Sequence, residues 1–114
     1  MVRSIIHPKW IFAVTLLAVT ARVSATVPGE AIYQGTCIAC HGANGKGTLP
    51  GVPDLNDPKG VLSKPYAELM KSITNGLRSP GSPLSMPPKG GDPSLNKKDI
   101  EAVIHYMRKT FGSR

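Results

Sequence analysis

The chain has 114 residues, with Lys+Arg 14 against Asp+Glu 7 and a formal charge of +7 at pH 7. That length holds one domain and, less an export signal, is too short for two. The basic side chains are scattered along the sequence rather than gathered into one stripe, which argues against a nucleic-acid-binding surface.

Met1 to Ala25 reads as a cleaved secretory signal. Arg3 and Lys9 lead, an apolar stretch runs from Trp10 to Ala21 broken by Thr15 and Thr20, and Val23-Ser24-Ala25 offers small residues for cleavage. The stretch is shorter than the ~20 residues that cross a bilayer, and Arg22 closes it. Export to the periplasm is expected, with no stable membrane span after cleavage. Residues 26–114 then form the mature domain, in which the loss of Arg3, Lys9 and Arg22 leaves a net charge of +4. Its aromatic content is only Phe111, Tyr33, Tyr66 and Tyr106. So thin a core calls for a bound apolar body, and folding should depend on it.

The first helix is expected from about Gly29 or Glu30 to Cys40. Gly29, Tyr33 and Cys37 fall at i, i+4 and i+8, on one face. It ends in Cys37-Ile38-Ala39-Cys40-His41, which uses both cysteines of the chain. Two thiols on one helical turn can add to the two vinyl groups of a porphyrin edge, and the histidine behind them is carried under the ring to coordinate iron. This is the attachment pattern of covalent haem c. A zinc site would have to be built from Cys37, Cys40, His41 and His105, with adjacent Cys40 and His41 as awkward corners of one tetrahedron. A thioredoxin-like pair expects a βαβ context that the following Gly- and Pro-rich sequence does not offer.

Residues 42–58 and 75–93 are too punctuated by glycine and proline for regular elements, and loops of this length are placed to wrap the ring. Between them a second helix should start near Pro65, bury Leu69, Met70 and Ile73, and stop at Asn75-Gly76. In the second loop, Met86 lies among prolines and glycines in Ser82-Pro83-Leu84-Ser85-Met86-Pro87-Pro88-Lys89-Gly90-Gly91. Met70 and Met107 sit at core positions of helices, where methionine fills space. Met86 is therefore the expected distal iron ligand, opposite His41.

The last helix has Asn96 as N-cap, Asp99 at the capping-box position, and Leu95 placed to staple onto Ile100. Ile100, Val103, Ile104, Met107 and Phe111 form its apolar stripe, and Gly112 its stop. His105 falls on the opposite, wet face with Lys98, Glu101, Arg108 and Lys109.

Across essentially all of the mature chain, these segments resemble the class I monohaem c-type cytochromes, and among them short bacterial cytochromes of the c-five type. Residues 33–42 are similar to that family's attachment helix, Gly51-Val52-Pro53-Asp54-Leu55 to its haem-packing loop, residues 86–91 to its ligand loop, and residues 95–106 to its closing helix. The second cysteine pair common in the c-five type has no counterpart here. The resemblance implies an all-α fold, a small cytochrome c domain of three or more helices with long loops wrapped around one covalent haem. It also implies that the Pro53 carbonyl accepts from His41 Nδ1–H, that Leu55 packs on the haem, and that Gly29 and Tyr33 cross Val103 and Tyr106.

With His and Met at both axial positions the iron has no open site, so the expected role is a soluble one-electron carrier, not an enzyme. It is expected as a monomer meeting redox protein partners that are acidic at the docking face. Two readings stay open beside this one. A haem gas sensor would need a labile Met86 bond, and a fixed subunit of a larger oxidoreductase would use the same ligands.

Overall fold

The computed structural model describes residues 27–112. The expected signal at 1–25 and its cleavage site lie outside the described residues. The first helix begins as α1 (Gly29–Ile32), passes through a π-helical turn (Tyr33–Cys37) and finishes as α2 (Ile38–His41). The π turn is closed by the Ile38 amide donating to the Tyr33 carbonyl, five residues back, which widens the helix where it reaches the first cysteine. The i, i+4, i+8 pattern predicted the helix and its length but not this change of pitch.

A single 3₁₀ turn (Val61–Ser63) leads into α3 (Tyr66–Asn75), which starts one residue after Pro65 and ends at Gly76, whose φ is 78°. Leu69 and Ile73 are buried there as expected, whereas Met70 is half-buried. Then come two short strands, β1 (Leu77–Arg78) and β2 (Ser85–Met86), antiparallel with Leu77 opposite Met86 and Arg78 opposite Ser85. The all-α expectation is corrected at this point. Glycine and proline bar long elements from residues 75–93, but they leave room for a two-pair ladder. Its loop turns at Ser79–Ser82, where Gly81 has φ 77° and the Ser82 amide donates to the Ser79 carbonyl at 3.1 Å. A turn over Pro88–Gly91 follows, in which Lys89 and Gly90 leave helical backbone angles.

The closing helix α4 (Lys97–Thr110) has its capping box in place. Asp99 N donates to Asn96 Oδ1 at 3.1 Å and Asn96 N donates to Asp99 Oδ2 at 2.9 Å. Ile100, Val103, Ile104 and Met107 are buried along one face, Leu95 and Phe111 join them at the two ends, and His105 is exposed. Among the described residues no helix is long and apolar enough to cross a membrane.

The first helix crosses α4 where it has no side chain. A Cβ on Gly29 would collide with the Ala102 carbonyl and lie 2.9 Å from Tyr106 Cβ. Tyr33, one turn on, is 1% exposed, with its ring 5.5 Å from Tyr106 and 5.3 Å from Phe111 between centroids. These aromatic contacts and the α4 stripe form one core cluster with Leu55, Leu62, Leu69 and Ile73. Gly29→Ala should therefore lower the free energy of unfolding by about 1–3 kcal/mol through overpacking. Gly35→Ala, whose Cβ would meet nothing within 4 Å, should cost nothing; denaturant titration of the two variants checks the contrast.

Candidate functional site

The attachment segment is held by the loop that follows it. The carbonyls of its last turn would be left without partners at a helix end, yet each finds one. The Gly42 amide donates to Ile38 O at 2.8 Å, the Thr48 amide to Cys40 O at 2.8 Å, and the Gly47 amide to His41 O at 2.8 Å. Thr48 Oγ1 donates to Ala39 O at 2.6 Å and lies 3.1 Å from Cys40 O. Gly42, with φ 78°, turns the chain out of the helix, a conformation that suits glycine. The buried Tyr33 hydroxyl donates to Gly42 O at 2.6 Å, tying the start of the π turn to the residue behind His41. Tyr33 and Thr48 were not expected as polar partners, since sequence periodicity marks faces of a helix and not the reach of a hydroxyl.

Cys37 is half-buried and Cys40 exposed, and both thiols are free. Burial, and then the nearby Cys40, push the Cys37 thiol up to about 11. His41 is half-buried. Burial lowers its pKa, which keeps the imidazole neutral and able to coordinate a metal. Its Nδ1 is buried with no hydrogen-bond partner. The expected bond from this nitrogen to the Pro53 carbonyl is thus not made; Pro53 is exposed. Its loop is anchored elsewhere, by the Val52 amide on Leu49 O at 3.2 Å and the Leu55 amide on Gly45 O at 2.7 Å. Leu55 is 3% exposed and belongs to the core cluster.

Met86 comes to the same region from a separate segment. It is half-buried and packs against the core cluster, as Cys37 does. Gly76 permits a close backbone approach, since a Cβ there would lie 2.7 Å from Met86 O and 2.9 Å from Pro88 N. The Pro88–Gly91 turn touches the first helix, where a Cβ on Gly90 would lie 2.9 Å from Thr36 Cγ2. Gly51 packs against the segment before Met86, its Cβ position 3.0 Å from Ser82 Oγ and 3.1 Å from Pro83 Cδ. Leu49, Leu77 and Leu84, on these same segments, are exposed apolar side chains.

Three segments widely spaced in sequence therefore converge: the attachment helix, the Gly51–Leu55 loop and the Met86 loop. The donor set fits haem c. Two free thiols can tether it, a neutral imidazole and a thioether can coordinate iron, and exposed leucines can cover a porphyrin. Among the described residues no group of three or more His, Cys, Asp or Glu gathers into a metal site, so the zinc alternative has no support from geometry.

The sequence profile of the family described as "Cytochrome C oxidase, cbb3-type, subunit III" matches residues 24–107. The cbb3-type cytochrome c oxidase subunit FixP of Azorhizobium caulinodans is 34% identical over 92 residues, which is 78% of this chain and 30% of the relative. The cbb3-type cytochrome c oxidase subunit CcoP of Azospirillum sp. (strain B510) is 33% identical over 94 residues, 77% of this chain and 31% of the relative. The cytochrome c subunit of the alcohol dehydrogenase (quinone) of Gluconacetobacter polyoxogenes is 28% identical over 94 residues, 80% of this chain and 20% of the relative. The chain spans less than a third of the length of each of these relatives.

The tyrosine clamp has a pH signature. Burial, and then Cys37 and Tyr106, push the Tyr33 phenol from 10.0 up to about 12. The folded state thus favours the protonated phenol. Its contribution is whole below pH 10, falls as pH rises from 10 towards 12, and is lost above that. Tyr33→Phe should cost about 1 kcal/mol at pH 7 through the lost hydrogen bond. It should also lose less stability than the parent between pH 10 and 12, which unfolding titrations of both proteins at several pH values would show.

Proposed function

The chain belongs to the cbb3-type cytochrome c oxidase subunit III family, and from that membership we propose that it is a one-electron carrier domain, not an enzyme, with one haem held between His41 and Met86. Haem c, covalently bound, is the cofactor of this family, and it supplies an iron that gains and loses one electron. The observation that carries the reading is the meeting of the two ligand-bearing segments, Thr36 beside Cys37 against Gly90 in the turn behind Met86.

In this reading Cys37 and Cys40 form the two thioether tethers. His41, as a neutral imidazole, and Met86, as a thioether, would be the two protein ligands that hold the iron. With both ligands bound, the iron would offer a substrate no open position. The soft, uncharged Met86 thioether favours the ferrous state, and burial by Leu55 and the exposed leucines adds to that bias. The Pro53 carbonyl remains the proposed acceptor for His41 Nδ1–H in the loaded protein, where an unpaired buried nitrogen would otherwise cost about 1–3 kcal/mol. The finer likeness to the c-five type is proposed from the attachment helix, the Gly51–Leu55 loop, the 86–91 loop and the closing helix taken together, and the second cysteine pair common in that type has no counterpart here.

The domain is proposed to occupy residues 26–114 and to act as a monomer in the periplasm after removal of residues 1–25. A second reading, a fixed haem c subunit of a larger complex, is favoured by the comparisons, because the relatives are named as subunits of an oxidase and a dehydrogenase. A partner that copurifies in fixed stoichiometry selects it over a free carrier.

Three measurements test the proposal. The intact mass of the purified protein under denaturing conditions should equal the chain from Thr26 plus one haem; extraction of that haem by acid acetone would refute covalent attachment. Met86→Ala should remove the far-red sulfur-to-iron absorption of the ferric protein, lower the potential and admit cyanide or carbon monoxide. Met70→Leu and Met107→Leu should keep ligation and cost less than about 1.5 kcal/mol. Finally, Lys46 and Lys89 are proposed to face an acidic partner, so stopped-flow electron transfer should slow as salt shortens the Debye length from ~10 Å at 0.1 M to ~3 Å at 1 M. A flat response would point to an apolar docking patch.

A further inference from the structure

The turn behind Met86 has an unusual backbone. Lys89, Gly90 and Gly91 all have positive φ, at 55°, 64° and 91°, and for lysine this region is disfavoured. Such conformations persist where the surroundings over-determine them. Here they seat Gly90 in a notch on the first helix, where a Cβ would come 2.9 Å from Thr36 Cγ2 and 3.7 Å from Thr36 O. Thr36 lies inside the π turn and immediately precedes Cys37. On its other side the same loop is pressed onto the end of α3 through Gly76 and paired with β1 through Met86.

We infer that the Thr36–Gly90 contact is a positioning joint, by which the π turn of the attachment helix sets where Met86 can stand relative to the tethered haem. The inference rests on Met86 being the distal ligand. Filling the notch would push the loop off the first helix and carry Met86 away from the iron, without touching either tether or His41.

The test uses holoproteins shown by intact mass to carry one haem, and reads the ferric far-red band and the cyanide affinity. Gly90→Ala should lose most of the band and bind cyanide about tenfold more tightly, as overpacking of this size would produce. Gly91→Ala carries a backbone penalty at least as large, since φ 91° lies outside the left-handed well that φ 64° occupies, but its Cβ would meet nothing closer than Pro87 Cγ at 3.8 Å; it should keep the band. Thr36→Ser removes only the clashing methyl and, combined with Gly90→Ala, should restore both band and holoprotein yield. Equal behaviour of the two glycine variants, or failure of Thr36→Ser to rescue, overturns the joint. Met86→Ala separates the two ideas: if it keeps the band, the ligand assignment falls and the joint with it, whereas if it loses the band while the glycine pair behaves alike, only the joint falls.

Discussion

The crossing of the first helix over α4 at Gly29 is the constraint from which the site is built. Two helices approach so closely there that a single methyl would strike the Ala102 carbonyl. The approach lets the Tyr33 ring wedge between Tyr106 and Phe111. Once these two residues are seated, the rotation of the first helix about its axis is set. The π turn then decides how that rotation is passed on. An α-helix advances about 100° per residue, and a wider i→i+5 turn advances less. Cys37, Cys40 and His41 thus face a direction different from the one a continuous α-helix would give them.

Long loops can serve as walls of this site because their polar groups are accounted for. The loop from Gly42 to Leu55 folds back onto the helix end it leaves, spending its amides and the Thr48 hydroxyl on the carbonyls of Ala39, Cys40 and His41. Short side chains stabilise the remaining turns: Asn44 accepts from the Lys46 amide, Asp54 from the Asn56 amide and Asp92 from the Ser94 amide. Together they offer these segments an alternative to helix or sheet, which is why a chain rich in glycine and proline can still present a defined surface.

The apolar side of the account is less complete within the polypeptide alone. The buried cluster lies behind the attachment segment, along α4 and α3. Leu49, Leu77 and Leu84 expose large apolar surface on the segments that converge at the site. A small domain with exposed leucines on the segments that form its site fits a cofactor that completes the core. Binding, folding and electron transfer would then share one set of residues.

Much of this was legible in the residues themselves. The pentapeptide ending at His41 specifies its cofactor through side-chain chemistry and local spacing alone, and the α4 capping box and stripe follow from interactions within a few residues. The boundaries of α3, set by Pro65 and Gly76, are local in the same way. What tertiary structure decided involves partners far apart in sequence. The π turn answers to the demands of α4 at one end and the attachment segment at the other. The β1–β2 ladder forms because Gly76 and the 79–82 turn bring short stretches side by side, against a composition that reads as loop. The Tyr33 hydroxyl on Gly42 and the fit of Gly90 into Thr36 depend on distances across the fold. Periodicity and spacing carry no record of such distances, because they describe neighbours along the chain and not neighbours in space.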